Sequence, residues 1–205
     1  LAAIRGAAEL LQEPLPEAER ERFAANIQRQ TQRLQQLIDK LLSLADVEQM
    51  RQLRDVEPVD LSALTREILH TLEPRLRLKH LSVRDQLGES ITVRGNRFLL
   101  GQALHNLLDN AIDFSPSGGE LGLRLVREGT QVQWSVRDQG PGVPDYAVDR
   151  IFDRFYSLPR ADTREKSSGL GLCLVREVSD LHGGSVMLAN VSQPRGCKAC
   201  LTLPE

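Results

Sequence analysis

The sequence predicts an α+β protein in which a helical hairpin precedes a unit that mixes helices with strands. Three patterns carry that prediction. Apolar residues repeat close to a heptad period from Glu17 to about Ala45. Period-two alternation appears at 120–127 and 131–137, and 185–190 and 197–203 read as a final hairpin. Between these regions Leu100, Leu104, Leu107, Leu108 and Ala111 recur at three- and four-residue steps, the mark of an amphipathic helix.

A chain of 205 residues is long enough for one or two domains with real cores. Its 40% hydrophobic and 26% charged content is that of an ordinary soluble globular protein. A net charge of −2 gives no general reason to expect nucleic acid or an anionic membrane as partner. No apolar run approaches the ~20 residues that span a bilayer, and the N-terminus lacks a signal-peptide layout. Three cysteines, an odd number, argue against a disulfide framework. Cys197 and Cys200 have the spacing of a redox or zinc pair, but in a strand they point to opposite faces. They are expected to be structural thiols in a reducing compartment.

In order along the chain, Leu1, Ile4, Ala7, Ala8 and Leu11 form a helical stripe through about residue 12, stopped by Pro14 and Pro16. The long helix after them carries Phe23, Ile27, Leu34, Leu37, Ile38, Leu41 and Leu42, with a polar layer near Gln30 and Thr31. Such a hairpin has too little core of its own, so pairing with a second copy into a four-helix bundle is expected. Residues 48–58 turn charged and irregular and read as a linker ended by Pro58. Asp60 or Ser62 then caps a helix through about Leu76. Short strands are expected at 81–87 and 91–94, before Gly95-Asn96 opens the amphipathic helix. The run 115–119 is a clear breaker. In the strand at 131–137, Trp134 reads as core.

One face of the amphipathic helix is unusual. Asn106, Asn110 and Phe114 lie at i, i+4 and i+8, so two carboxamides and a ring form one stripe. A carboxamide oxygen is a neutral hard ligand, suited to Mg²⁺ when phosphates supply the charge. The strand at 131–137 runs into Asp138, Gly140 and Gly142, where glycines admit a flat ligand and a carboxylate can accept from an exocyclic amine. After Phe152 and Phe155, the polar stretch 157–167 is long enough for a lid. Ser168-Gly169-Leu170-Gly171-Leu172 then opens a helix whose first N–H groups suit an anion. The run matches neither the Walker nor the Rossmann pattern.

Taken in order, Asn106…Asn110, Asp138-x-Gly140-x-Gly142, Phe152…Phe155 and Gly169-x-Gly171 closely resemble the N, G1, F and G2 boxes of bacterial two-component sensor histidine kinases. These kinases belong to a wider ATPase superfamily (GHKL) that includes DNA gyrase, a heat-shock chaperone and MutL. Within the kinases, the segments at 155–159 and 167–169 resemble the CreC group. The resemblance implies an α/β-sandwich ATPase domain over 59–205, a linker over 48–58, and a dimerisation and phosphotransfer hairpin over 1–47. It implies ATP and Mg²⁺ as cofactors, with Asn110 and Asn106 as the metal residues and Asn106, one turn earlier, facing the phosphates. Asp138 would read the adenine amine, Gly140 and Gly142 would admit the ring, and Phe114 would flank it. Ser168, Gly169, Leu170, Gly171 and Leu172 would form the phosphate turn. Phe155 would root the lid, whose cations Arg154, Arg160 and Lys166 are candidates for the γ-phosphate.

Departures from the family pattern stand beside these matches. Asp113 occupies a position that is often Lys, and Ser167 replaces the first glycine of the G2 box. The family's acceptor histidine precedes a segment similar to Leu1–Ile4, so it is expected upstream of Leu1, and the chain itself offers no catalytic residue. His70 and His80 read as surface residues, His105 as structural, and His182 as part of a helix terminus. The expected parent is an inner-membrane protein whose cytoplasmic portion is this chain, acting as a homodimer that phosphorylates a histidine and relays to a response regulator Asp. Nucleic acid is not an expected partner, and a membrane is met only through the missing N-terminal part. Two other readings stand against this one. One is an ATP-hydrolysing clamp of the chaperone or MutL kind, which needs a Glu where Asn106 stands. The other is a non-catalytic scaffold that binds nucleotide and a response regulator.

Overall fold

A computed structural model describes residues 5, 6, 10, 16–50, 52–88, 90–159 and 167–205. The first expected helix, and the lid cations Arg160 and Lys166, fall almost wholly outside them; Arg5, Gly6 and Leu10 are helical. The chain divides into two compact units, 1–43 and 44–205.

In the first unit, helix α1 (Glu17–Gln49) begins where the Pro16 carbonyl accepts the N–H groups of Glu19 and Arg20 at 3.0 and 3.1 Å. Its heptad stripe is only half covered. Ile38 and Leu42 are 54% and 59% exposed, a strip of apolar surface that a lone helix would not retain without a partner. The end of α1 belongs to the second unit, where Leu44 and Val47 are buried in the core cluster.

That second unit is an α/β sandwich. A five-stranded sheet has the order β2-β4-β5-β7-β6, from β2 (Ser82–Gln86), β4 (Glu120–Glu128), β5 (Gln131–Arg137), β6 (Ser185–Ser192) and β7 (Arg195–Pro204). Strands β2 and β4 run parallel and the other neighbours antiparallel. Alternation buries Leu121, Leu123 and Leu125 with Val132, Trp134 and Val136 and with Ala199, Leu201 and Leu203. Against that face pack α2 (Leu61–Leu78), α3 (Arg97–Phe114) and α4 (Gly171–Leu181). Trp134 is fully buried, and its indole N–H donates to Thr65 Oγ1 at 2.9 Å.

A separate two-stranded ribbon pairs β1 (Glu57–Asp60) with β3 (Thr92–Gly95). Strand β1 corrects the sequence expectation, which left residues 57 and 58 in a linker. Four residues give no periodic signal, and Pro58 is tolerated because the ribbon has an open edge. The linker is also shorter at its start, since α1 continues to Gln49.

Caps define the helices around the site. Asp60 Oδ1 accepts from the N–H groups of Ser62 and Ala63 at 2.8 and 3.0 Å, and Asn96 Oδ1 accepts from Leu99 at 2.9 Å. The far end of α3 is closed by Lys79, whose Nζ donates to the carbonyls of Ile112, Asp113 and Ser115 at 3.0, 2.9 and 3.0 Å. His182 ties two elements together. Its Nδ1 bonds the Val178 carbonyl at 2.7 Å, and Nε2 accepts the Asn96 N–H at 3.0 Å. Burial depresses its pKa, so the ring is a neutral bridge at a helix end. His70 and His80 are exposed, while His105 lies 3.3 Å from Asp109. Strand β7 turns Cys197 into the buried face and Cys200 to the other. No helix among the described residues is long and apolar enough to cross a membrane.

Candidate functional site

A cavity opens between the C-terminal half of α3, the end of β5 and the start of α4. One wall is α3, with Leu107, Asn110, Ala111 and Phe114 lining it. Asn110 and Phe114 share a face because they are four residues apart. Asn106, one turn earlier, stands behind this wall. Its Nδ2 donates to the Gln102 carbonyl at 2.9 Å, and a Cβ on Gly171 would lie 2.8 Å from its Oδ1. The first residue of α4 is therefore pressed onto the carboxamide.

The second wall is the end of the sheet. Asp138 is 7% exposed, with Oδ1 accepting from the N–H groups of Gly140 and Cys197 at 2.8 and 3.1 Å. Burial pushes its pKa up, against the pull of those two bonds and of Arg137. Both bonds fall on one oxygen, so Oδ2 keeps its acceptor capacity for a donor in the cavity. Next to it, burial and then the Asp138 charge push the Cys197 thiol up to about 12, so it is an inert part of the lining.

Glycines set how closely the backbones approach. A Cβ on Gly140 would sit 2.5 Å from the Phe114 carbonyl oxygen, and one on Gly196 only 1.9 Å from that of Asp138. Gly142 adopts φ +80° and would meet Asn190 Oδ1 at 2.6 Å. That Asn190 side chain braces the turn, accepting from Val143 N–H and donating to Val143 O, both at 2.7 Å. Asn190 and the inward role of Gly196 were missed in the sequence. A glycine inside a strand pattern was the available signal for the second.

The third wall is the lid root and the helix start, from Ile151, Tyr156, Ser157 and Leu158 to Ser167, Gly169, Gly171 and Leu172. Gly169 adopts φ +67°, and a Cβ there would lie 2.4 Å from the Phe155 carbonyl carbon. Phe155 itself has φ +62° and donates its N–H to the Gly169 carbonyl at 3.0 Å. Ser168 Oγ accepts from Leu170 N–H at 3.4 Å, and Leu170 is buried in the core. Beyond it, the first N–H groups of α4 have no acceptor within the helix, a set of donors of the kind that suits an anion.

Several expected residues sit elsewhere. Leu170 is core rather than lining, and the Phe155 side chain is 66% exposed. Arg154 does not line the cavity; its guanidinium pairs with Glu48. The carboxylate of Asp113 is held at 2.8 Å by Arg75, which also binds Asp109.

The geometry therefore offers a cavity with one buried acceptor, a neutral carboxamide and the first backbone N–H groups of α4. Among the described lining residues Asp138 is the one carboxylate. Residues 95–205 match the family described as histidine kinase-, DNA gyrase B- and HSP90-like ATPase. The chain belongs to that ATPase family. Residues 1–49 match the His Kinase A (phospho-acceptor) domain, so this ATPase carries the two-module core of a sensor histidine kinase, and the expected hairpin-plus-sandwich architecture stands.

Among proteins similar to this kinase core is the sensor protein CreC of Escherichia coli strain K12, 46% identical over 99% of this chain and 42% of its own length. Another is the sensor protein SphS of Synechococcus elongatus, 36% identical over the whole chain and 51% of its length. The chain thus spans about half the length of the curated relatives it matches. Full-length ShkA, solved in complex with AMPPNP, superposes with a TM-score of 0.74 at 26% identity, covering 98% of this chain and 42% of that one.

Proposed function

We propose that this chain is the nucleotide-binding, catalytic part of a sensor histidine kinase and that it takes ATP together with Mg²⁺. Asp138 carries the reading. A buried carboxylate with one oxygen free suits the exocyclic amine of adenine, with Gly142 giving room and Phe114 flanking the ring. The rest of the cavity fits the remainder of the nucleotide. Gly169, Gly171 and the first turn of α4 suit phosphate oxygens, and Asn110 offers the neutral oxygen that Mg²⁺ accepts beside phosphates. Asn106 backs this arrangement through Gly171.

ATP supplies the γ-phosphoryl group, and the residues of this chain bind and orient it. Arg160 and Lys166 remain the proposed phosphate cations of the lid. The position that carries the water-activating Glu in the hydrolysing clamp is Asn106 here, a poor base, which favours transfer to a protein side chain. In the longer protein a histidine on the paired N-terminal helices is the proposed acceptor, and a response regulator Asp the next carrier. The exposed Ile38, Leu41 and Leu42 of α1 support pairing with a second copy. Membrane anchorage of that longer protein, with this part in the cytoplasm, is proposed on the family resemblance alone.

The test is calorimetric titration with ADP, with and without Mg²⁺, of the wild-type chain and of Asn110→Ala. Binding that Mg²⁺ strengthens, and that loses this enhancement in the variant, is the expected result. A folded chain that binds nothing overturns the reading and leaves the regulator-docking scaffold in its place.

A further inference from the structure

The Glu48–Arg154 pair joins parts of the unit 44–205 that are more than 100 residues apart in sequence. Glu48 stands next to Val47, which is 2% exposed and fixed in the core with Leu44. The end of α1 is thus a rigid base for that carboxylate. Arg154 meets more than Glu48. Its charge acts on the thiol of Cys173, and one ligand atom from each of Glu48, Cys173 and Glu177 lies within 4.8 Å of the others. Cys173 and Glu177 belong to the first two turns of α4, the helix whose start faces the cavity.

The residue after Arg154 gives the pair its consequence. Phe155 is held at φ +62°, a conformation unfavourable for a non-glycine residue, and its N–H donates to the Gly169 carbonyl. Gly169 in turn lines the cavity and fits only without a side chain. A strained residue persists where its surroundings over-determine it, and Arg154 is its immediate anchor.

We propose that Glu48 is a positioning residue for the phosphate end of the nucleotide site, acting through Arg154 to hold the lid root against Gly169 and the start of α4. Arg154 is then an anchor of the lid, not a contact to the γ-phosphate. This rests on the nucleotide reading above, so its test has one arm that needs no nucleotide.

In that arm, alkylation of Cys173 by a small maleimide is followed by peptide mass spectrometry in the full chain; Cys173 and Cys197 are both buried, so Cys197 serves as internal reference for general opening. Glu48→Gln should label Cys173 about threefold faster or more, with Cys197 unchanged, whereas Arg154→Gln also removes a cation that favours the Cys173 thiolate and so serves only in the second arm. The second arm compares ADP with adenosine. Each variant should bind ADP about threefold more weakly and adenosine as the wild type does, and the double variant should be no worse than either single one. Unchanged Cys173 labelling in Glu48→Gln overturns the proposal. So does equal acceleration at Cys197, which marks general loosening, or losses that add in the double variant. If the wild-type chain binds no ADP, the nucleotide reading fails and the positioning role with it. The labelling arm then still decides whether the pair holds the lid root.

Discussion

The two ends of the cavity are built in different ways. At the Asp138 end, the carboxylate leaves the central strand β5 and is clamped by N–H groups from the following turn and from β7. Gly196 lets β7 pass so close that a methyl group would overlap the Asp138 backbone. At the Gly169 end the chain is loop and first helical turn. It is held by one backbone bond to Phe155, the buried Leu170 and the Arg154 anchor. The first end comes with the sheet and cannot be altered without touching the fold. The second depends on a few separable contacts and belongs to the less stable part of the structure.

The largest effect should come from forcing the sheet end apart. Gly196→Ala is expected to cost about 3 kcal/mol or more in urea denaturation, since the obstacle is backbone and cannot swing away. A variant as stable as the wild type would mean that the two strands are not locked together there.

Asp138→Asn sharpens the contrast by separating binding from folding. Asn keeps the acceptor for Gly140 and Cys197 but can turn a donor toward the ligand amine, so ADP affinity should fall about 100-fold. Stability should hold or rise, because a buried charge is removed. The pH dependence has a fixed sign. Burial raises the folded-state pKa, so the folded chain holds this proton more tightly than the unfolded one. Its contribution to ligand-free stability therefore grows as pH falls through the folded pKa toward the unfolded value. Over the same window wild-type ADP binding should weaken, while Asp138→Asn should show neither trend. Parallel titrations and melts across pH read both.

Gly169→Ala probes the other end with a smaller effect. The φ of +67° and the contact with Phe155 should reduce ADP affinity about tenfold and leave adenosine nearly untouched. Equal losses for both ligands would show that the two ends are not separable.

Much of this was legible in the sequence because it is local. The face shared by Asn110 and Phe114 follows from helix period, and Asp138 with its glycines follows from a strand running into a turn. Strands β4, β5, β6 and β7 were placed within two residues, while β1 was not seen. What was illegible is partnership between distant residues. The family resemblance offers Arg154 as a lid cation, but not that Glu48 meets it. It marks Asp113 as a departure, but not that Arg75 from α2 holds it. Asn190 bracing Val143 depends on the β6–β7 register, which no local pattern near residue 143 encodes. Leu170, placed by motif in the phosphate turn, is core because the residue between two glycines faces inward.

Trp134 is the sole tryptophan of the chain; it shares a strand and face with Val136, and Asp138 follows directly after that strand. Its indole is wholly enclosed, with its N–H fixed on Thr65. The molecule therefore carries one built-in fluorophore at the heart of its sheet. A single indole makes the emission unambiguous, so its colour and its shielding from dissolved quenchers report directly on the strand that leads into Asp138.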